Sequence, residues 1–314
     1  MHIVRSPLRI TLGGGGTDRP SFVREHGGFC LTAAIDKYVY VSALRPFLPG
    51  VYLKYSELEH GVPRVSDVRH PIFREVLKHF NVEPQIELTA LADIPAGTGL
   101  GSSSSFTTAL IKALAVHERR MLSPAALAEL ACTIEIDRLG APIGKQDQYA
   151  AAFGGVCSLQ FSPDGSVDAD AVPMSACAMH TLEDGLLLFY TGLTRSANAV
   201  LSKPSADMNL TRVKELGLRS RDALVAGNIY EFGRLMHLHW SEKQARGLST
   251  PEIDHWYHEA MAHGAIGGKL VGAGGGGCLL FYTEDPKELR YGMAQLGLPE
   301  VRFRFDFEGT RVIT

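Results

Sequence analysis

The residues Pro95-Ala-Gly-Thr-Gly-Leu-Gly-Ser-Ser-Ser-Ser105 decide how this chain is organised, because they join a glycine-rich turn to a helical pattern. Gly97, Gly99 and Gly101 allow tight backbone turns and close approach to another group. From Phe106 onward, apolar residues recur at helical spacing, so the serines stand where a helix begins. Such a loop presents unpaired N–H groups and the positive end of the helix dipole. The stretch therefore predicts an anion site, with a phosphate chain as the favoured ligand.

Two common nucleotide-binding motifs do not fit this stretch. No Gly-Lys-Ser or Gly-Lys-Thr follows the glycines, as a P-loop requires. No later glycine stands at the offset of the dinucleotide fingerprint. The alternative is a serine-capped helix after a glycine-rich turn, a frequent structural feature. This stretch alone leaves both interpretations open, and two other glycine-rich segments favour the phosphate site.

The first of these segments is Pro7-Leu-Arg-Ile-Thr-Leu-Gly-Gly-Gly-Gly-Thr-Asp18, in which a strand ends in four glycines. A hairpin turn is the alternative, but four glycines are entropically costly for a turn alone. Close approach of a ligand explains them better, and Asp18 can accept hydrogen bonds from a polyol. The second segment is Lys269-Leu-Val-Gly-Ala-Gly-Gly-Gly-Gly-Cys-Leu-Leu-Phe281. Its apolar flanks pin it between buried elements, which argues against a flexible linker.

Two carboxylates complete the pattern. Glu135 stands late in an amphipathic helix, and Asp147 follows a turn, flanked by Gln146 and Gln148. A solvated carboxylate is the default for any Asp or Glu, but the surroundings of Asp147 are apolar, and Lys145 is a nearby cation that can hold it ionised. Phosphoryl transfer needs a neutralised phosphate chain and a group that orients or deprotonates the attacking hydroxyl. Hard oxygen ligands of this kind suit Mg²⁺.

Length and composition exclude several classes of protein. The 314 residues are enough for about two domains, and a net charge of −3 argues against nucleic-acid binding through bulk electrostatics. The 5 cysteines form no closely spaced pair, so a disulfide framework or zinc knuckle is disfavoured and a reducing cytosol is expected. No window has the apolar length of a membrane span. We therefore expect a cytoplasmic protein without nucleic-acid or membrane partners.

Strands and helices are mixed without strict alternation, which predicts an α+β fold. We expect strands over residues 3–12, 29–44, 51–55, 85–91, 156–161, 186–191, 278–283 and 301–307. Helices are expected over 71–80, 103–119, 124–139, part of 144–155, 207–226, 228–245, 251–264 and 286–296. Residues 165–172 are polar and turn-rich. We place a boundary before Leu186, giving an N-terminal domain of residues 1–185 and a C-terminal domain of residues 186–314.

The segments PLRITLGGGGTD, PAGTGLGSSSS and KLVGAGGGGCLLF resemble, in order and across the whole chain, the three signature motifs of the GHMP kinases. Within that superfamily, GGGGTD, GAPIGKQDQYAAAFGG and YTGLTRSA resemble the bacterial D-glycero-D-manno-heptose 7-phosphate kinases. Gly15 and Gly16 replace the Glu-His pair of the GEHTDY-type sequence in galactokinases, which disfavours galactose. The resemblance implies a two-domain GHMP fold with the active site between the domains. The N-terminal α/β domain would contain a left-handed crossover, and the C-terminal domain would be ferredoxin-like.

The resemblance also implies roles for individual residues. ATP phosphates would be bound by Pro95, Gly97, Gly99, Leu100, Gly101, Ser102, Ser103 and Ser104. Ser103 and Glu135 would ligate Mg²⁺, while Asp147 would be the general base and Arg9 would stabilise its ionised form. The sugar phosphate would be bound by Gly14, Gly15, Gly16, Thr17, Asp18, Lys145, Arg195 and Gly275. For the distal phosphate we favour Arg195, with Lys203, Lys37, Lys145 and Arg19 as further candidates.

The expected function is therefore an ATP-dependent kinase with ATP and a sugar phosphate as small-molecule partners. It would phosphorylate the anomeric hydroxyl of a heptose 7-phosphate, giving the 1,7-bisphosphate for nucleotide-activated heptose and surface polysaccharide. One alternative is a kinase for an unphosphorylated sugar such as fucose. Another is a non-catalytic nucleotide or sugar sensor, which the presence of both Glu135 and Asp147 disfavours. Only the general frequency of two-fold assemblies suggests a homodimer.

Overall fold

The computed structural model describes residues 1–194 and 209–314. The strands are β1 (His2–Gly13), β2 (Gly28–Leu44), β3 (Gly50–Lys54), β4 (Leu58–Val62), β5 (Gln85–Ala92), β6 (Val156–Phe161), β7 (Val167–Ala171), β8 (Leu186–Tyr190), β9 (Ala265–Leu270), β10 (Cys278–Thr283) and β11 (Arg311–Val312). The helices are α1 (Pro20–His26), α2 (Pro71–His79), α3 (Ser102–His117), α4 (Pro124–Cys132), α5 (Gln146–Phe153), α6 (Ala176–Gly185), α7 (Leu210–Val225), α8 (Ile229–Ala245), α9 (Pro251–Ala262) and α10 (Pro286–Gln295). A 3₁₀ turn at Val65–Asp67 and a π-helical turn at Thr133–Arg138 complete the set.

The larger sheet has the strand order β11-β1-β2-β5-β3-β4, with β6 paired to β2 and β7 paired to β6. Its organising strand is β2, whose 17 residues pair with β1, β5 and β6 in antiparallel ladders. Helix α3 packs against β1 and β2. Most of α3 is buried, including the polar Ser104, Ser105, Thr107 and Thr108 near its start, as expected for a helix enclosed by its neighbours. The backbone N–H of Arg9 donates to the carbonyl of Leu100, which fixes the glycine-rich loop beside β1.

The smaller sheet consists of β8, β10 and β9, all antiparallel, and α8 packs on β9. Trp240, Tyr257 and Phe281 are fully buried in the core of this layer. A separate apolar cluster contains Leu8 of β1 together with Leu280 of β10. Burial of apolar surface between the two sheets therefore joins the layers and leaves a cleft at their edge.

Residues 165–172 differ from expectation, because they contain strand β7 on the edge of the larger sheet. Val167 and Ala169 pack against the core, whereas Asp168 and Asp170 lie on the other face. The alternation of apolar and polar residues covers only 5 positions, and the polar ones are aspartates, so the composition predicted a turn and not a strand.

The C-terminal region also differs from expectation. Residues 301–307 do not form a strand, since only isolated bridges at Glu300 and Phe305 contact the sheets. The chain instead returns to the larger sheet through β11, which pairs with Val4 and Arg5 of β1. Leu186 begins the first strand of the smaller sheet. A boundary before Leu186 therefore places every strand of the larger sheet except β11 in the N-terminal part. Among residues 1–194 and 209–314, no helix has the length and hydrophobicity needed to cross a bilayer.

Candidate active site

A cleft of about 780 Å³ lies between the two layers and gathers the three glycine-rich segments. Gly15 and Gly16 contribute from the segment at residues 7–18, and Gly272 contributes from the segment at residues 269–281. Ser103, Glu135 and Asp147 all line this one cleft, although they come from three different helical segments. The convergence that the sequence predicts is therefore present.

The glycine-rich loop leads into α3 with the backbone geometry of an anion site. Gly97, Gly99 and Gly101 have φ values of 84°, 81° and 78°, which L-residues rarely adopt. Gly101 precedes the first residue of α3 and has no side chain to cap it. The first-turn N–H groups of Ser102–Ser104 have no intrahelical acceptor, and these residues line the cleft. An anion at this point would accept hydrogen bonds from bare backbone.

A buried carboxylate lies beside this helix start. Ser103 Oγ donates to Glu135 Oε1 at 2.6 Å, and Gln148 Nε2 donates to Oε2 at 2.8 Å. Glu135 is 2% exposed, and burial raises the pKa of its carboxyl although both hydrogen bonds oppose the shift. Its backbone lies in the π-helical turn, a feature that often marks functional positions in helices. Gln148 was not predicted as part of the site.

Asp147 forms a bidentate ion pair with Arg9. Arg9 Nε donates to Asp147 Oδ1 and Nη2 donates to Oδ2, both at 2.7 Å. The third guanidinium nitrogen donates to the carbonyl of Gly99 in the glycine-rich loop. This fork fixes both the carboxylate and the loop. Each carboxylate oxygen keeps a free lone-pair site, and Asp147 faces the cleft with a side chain that is 23% exposed.

Asp18 is the third carboxylate of the cleft, and it is 4% exposed. The backbone N–H of Gln146 donates to Asp18 Oδ2 at 3.1 Å. Burial is the largest influence on Asp18 and raises the pKa of its carboxyl to about 6. A Cβ on Gly144 would overlap the Asp18 carboxylate, so the absence of a side chain at that position makes room for it. We call Asp18, Glu135 and Asp147 the acidic wall.

Four basic residues of the C-terminal layer face the same cleft, and the sequence did not identify them. We call this set the basic wall: His239, Lys243, Arg246 and Lys269. Their exposed fractions are 4%, 7%, 5% and 6%. Lys243 Nζ donates to the carbonyls of Leu270 and Gly272 at 2.8 and 2.6 Å. Burial, followed by the other positive charges, lowers the pKa values of His239 and Lys243 well below their ordinary ranges.

The opposite end of the cleft is apolar and aromatic. Tyr55 and His70 meet edge to face with ring centroids 4.9 Å apart, and His70 meets Phe106 at 5.5 Å. Ile72 and Leu91 line the same end. No motif marked these residues in the sequence, because they come from separate loops, helices and a strand and have ordinary spacing.

The glycine-rich segments at residues 95–105 and 269–281 touch through backbone atoms, with no side chain between them. A Cβ on Gly99 would lie 2.7 Å from the carbonyl oxygen of Val271, and one on Gly272 would lie 2.7 Å from Gly99 Cα. A Cβ on Gly277 would overlap the carbonyl of Thr98. The loop before α3 and the loop before β10 thus form one backbone joint.

Most of the predicted phosphate-loop and acceptor residues line the cleft, and some do not. The predicted residues that line it are Arg9, Gly15, Gly16, Asp18, Gly97, Gly99, Gly101, Ser102, Ser103, Ser104, Glu135 and Asp147. Pro95, Leu100, Gly14, Thr17 and Gly275 lie outside its lining. The Thr17 hydroxyl bonds to both backbone groups of Phe29, and the Gly275 N–H donates to Leu248, so these five support the loops.

The geometry argues against the predicted role of Lys145. Its ammonium donates to both carboxylate oxygens of Glu129 and to the carbonyl of Gly165, each at 2.9 Å, away from the cleft. Arg9, and not Lys145, is the cation that pairs with Asp147. Lys37 contacts Asp36, whereas Arg19 lines the cleft. Arg195 and Lys203 lie outside the described residues.

Comparison with known proteins identifies the family. The family model of the GHMP kinases N terminal domain matches residues 68–155, and that of the GHMP kinases C terminal matches residues 220–294. The chain is 27% identical to the D-glycero-alpha-D-manno-heptose 7-phosphate kinase of Campylobacter jejuni, over 98% of this chain and 96% of that one. It is 28% identical, over 90% of its length, to the L-fucokinase/L-fucose-1-P guanylyltransferase of Bacteroides fragilis, of which it covers 34%.

A solved structure shows the same fold. A D-glycero-D-manno-heptose 1-phosphate kinase from Bacteroides thetaiotaomicron has a TM-score of 0.84 at 24% identity, covering 100% of this chain and 99% of that one. The two family models fall in the two layers that border the cleft. The α+β two-domain fold and the resemblance inferred from the three glycine-rich motifs are confirmed. The chain belongs to the GHMP kinase family of ATP-dependent kinases.

Proposed function

We propose that this kinase transfers the γ-phosphoryl group of ATP to the anomeric C1 hydroxyl of D-glycero-D-manno-heptose 7-phosphate, giving the 1,7-bisphosphate. The observation that carries the proposal is the Arg9–Asp147 pair, held beside the Ser103–Glu135 contact at the start of α3. The acceptor is suggested by the Campylobacter jejuni relative, whose name states that reaction partner. The product would supply nucleotide-activated heptose for surface polysaccharide.

The nucleotide would occupy the cleft from its apolar end to the glycine-rich loop. The aromatic end formed by Tyr55, His70 and Phe106 suits a purine base. The phosphates would accept hydrogen bonds from the first-turn amides of α3, where the helix dipole favours negative charge. This orientation brings the γ-phosphate toward Arg9 and Asp147.

Asp147 would act as the general base. Its carboxylate accepts the proton of the sugar C1 hydroxyl as that oxygen forms a bond to the γ-phosphorus, and the bond from phosphorus to the β,γ-bridging oxygen breaks to release ADP. Arg9 keeps the carboxylate oriented, and its contact with Gly99 holds the phosphate loop at the same point. Asp18 would bind sugar hydroxyls and fix which one approaches Asp147.

The donor set beside α3 fits Mg²⁺. Ser103 Oγ and Glu135 Oε1 are hard oxygens 2.6 Å apart, and Gln148 holds the other carboxylate oxygen in place. Among the described residues no group of three acidic, histidine or cysteine side chains is arranged to hold a metal ion by itself, so phosphate oxygens and water would have to complete the coordination of Mg²⁺. When bound, Mg²⁺ would neutralise charge on the transferring phosphoryl group.

We place this reaction in the cytoplasm. All 5 cysteines, Cys30, Cys132, Cys157, Cys177 and Cys278, are free thiols, as is usual for proteins kept in a reducing compartment. ATP is also available there. Localisation of a tagged protein by cell fractionation tests this assignment.

A coupled ADP-release assay tests the acceptor. The panel contains D-glycero-D-manno-heptose 7-phosphate, the same heptose without phosphate, L-fucose and D-mannose 6-phosphate. We expect the highest kcat/KM with heptose 7-phosphate. A higher value with L-fucose would favour the alternative suggested by the Bacteroides fragilis relative, and no ADP with any sugar would overturn the proposal.

A further inference from the structure

The basic wall is the part of the cleft that phosphoryl transfer itself leaves unexplained. His239, Lys243 and Arg246 are four and three positions apart at the end of α8, so they share one helix face. Helix α8 packs on β9, which brings Lys269 to the same place. A Cβ on Gly16 would lie 3.8 Å from Arg246 Nη1, so the wall borders the first glycine-rich segment.

One charge of this wall, that of the Lys269 ammonium, is buried with little compensation from the described residues. In the part of the chain that the structure describes, the Lys243 ammonium donates to two backbone carbonyls and to no other group, and these two contacts hold it at the base of the loop before β10. Within residues 1–194 and 209–314, the Lys269 ammonium has neither a hydrogen-bond acceptor nor a carboxylate within ion-pair distance, although Lys269 is only 6% exposed. A buried cation without an anion is unfavourable, and an anionic ligand would remove that cost.

The position of the wall distinguishes an acceptor phosphate from the phosphates of ATP. The nucleotide phosphates have their own site at the start of α3, next to Ser103 and Glu135. A sugar whose C1 hydroxyl meets Asp147 must extend away from that site, past Asp18 and Gly16. Its far end then reaches Arg246 and Lys269. A forked guanidinium with an adjacent ammonium suits the oxygens of a phosphate monoester.

We propose that Lys269 and Arg246 bind the terminal phosphate of the sugar acceptor and make the kinase selective for phosphorylated sugars. This inference rests on the proposed function for the identity of the sugar, but not for the existence of the anion site. Lys243 is a positioning residue, because its contacts go to the loop. An unphosphorylated sugar leaves the buried Lys269 ammonium without an anion among the described residues and is therefore bound poorly.

The test compares Lys269→Met and Arg246→Met with Arg234→Met, a control on α8 whose side chain is 66% exposed. Each variant is assayed with heptose 7-phosphate and with the same heptose lacking phosphate. Loss of a charge-assisted contact should lower kcat/KM for the phosphorylated sugar by about 10- to 100-fold. The value for the unphosphorylated sugar and the KM for ATP should change by less than about threefold.

The ratio of the two acceptors within one variant is independent of the fraction of active enzyme, so partial misfolding does not affect it. An equal loss with both acceptors would overturn the inference. So would a rise in the KM for ATP at an unchanged acceptor ratio, because the wall would then hold nucleotide phosphates.

A second measurement does not require turnover. With ADP saturating the nucleotide site, inorganic phosphate should raise the Tm of the parent and of Arg234→Met, but not that of Lys269→Met. If this pattern appears while heptose 7-phosphate is not a substrate, the anion site stands and the proposed acceptor fails. An equal rise in Lys269→Met would overturn the anion site itself.

Discussion

The acidic wall and the basic wall face one cleft, but their charges are satisfied differently. Asp147 and Glu135 each accept two side-chain hydrogen bonds before any ligand binds. Among the described residues, the partners of Lys243 are backbone carbonyls and Lys269 has no acceptor. Under the proposed function, the residues of phosphoryl transfer are preorganised, whereas the Lys269 ammonium has no compensating anion among the described residues until a ligand binds.

The largest effect should come from Asp147→Asn, which removes the proposed base and leaves the size of the side chain unchanged. We expect kcat to fall by about 10²- to 10⁴-fold, because the amide cannot accept the hydroxyl proton. The KM for ATP should change little, since the first-turn amides of α3 are intact. Steady-state kinetics measure both values.

The control for this variant is Asp222→Asn, whose side chain is 64% exposed and lies outside the cleft. It should retain the parental kcat. Turnover of Asp147→Asn at the same rate as Asp222→Asn would exclude Asp147 as the base.

Glu135→Gln should have the next largest effect. The amide keeps the shape that contacts Ser103 but loses the charge that would balance Mg²⁺. We expect kcat to fall by about 100-fold and the Mg²⁺ concentration for half-maximal activity to rise. Glu129→Gln is the matched control, because Glu129 pairs with Lys145 away from the cleft. Identical Mg²⁺ titrations of the two variants would remove Glu135 from the metal site.

Lys269→Met tests, through the free energy of unfolding, whether the buried Lys269 ammonium destabilises the protein when no ligand is bound. Burial lowers the pKa of Lys269 from its ordinary 10.5 to about 8, with Arg246 and Arg9 adding to the shift. The folded protein therefore binds fewer protons than the unfolded chain between these values, and the parental stability rises with pH across this window. Without ligand, the variant should unfold with a free energy about 2 kcal/mol higher at pH 7, and the gain should shrink above pH 8.

Urea denaturation at several pH values measures this difference, with Arg234→Met as the control. A lower free energy of unfolding in Lys269→Met at pH 7 would show that the ammonium is already compensated.

The smallest effect is expected for Asp18→Asn. Burial raises the pKa of Asp18 from 3.8 to about 6, so the folded protein binds more protons than the unfolded chain in that interval. The parental stability therefore falls as the pH rises through the interval. Above pH 6 the destabilisation caused by burying the charged Asp18 carboxylate is fully present. The variant should gain about 1 kcal/mol near pH 8 and much less near pH 4. Urea denaturation at both pH values checks this, and a gain that does not depend on pH would contradict it.

Local patterns predicted the parts of the molecule that depend on neighbouring residues. The hydrophobic alternation of β1 and the glycine-rich start of α3 could be recognised because backbone requirements appear directly in sequence. The partner of Asp147 could not be chosen this way. Lys145 is close in sequence but points to Glu129, whereas Arg9 is 138 positions away and reaches Asp147 through the packing of β1 beside α5.

The basic wall shows a second limit of local patterns. Its basic residues on α8 have the spacing of any solvated helix face, and the packing of α8 against β9, α7 and β1 buries them. The one available signal was the shared spacing of His239, Lys243 and Arg246. That spacing indicates a common face, but it carries no information about what covers the face.

The backbone joint between the two loops limits how this kinase can diverge. Because Gly99 and Gly272 meet with no side chain between them, even alanine at either position would push the loops apart. Under the proposed function, a new acceptor could be accommodated by exchanging residues of the basic wall one at a time. Both substrates would depend on the distance between the two loops, so a substitution that widens this distance should lower the affinity for the nucleotide and for the sugar together.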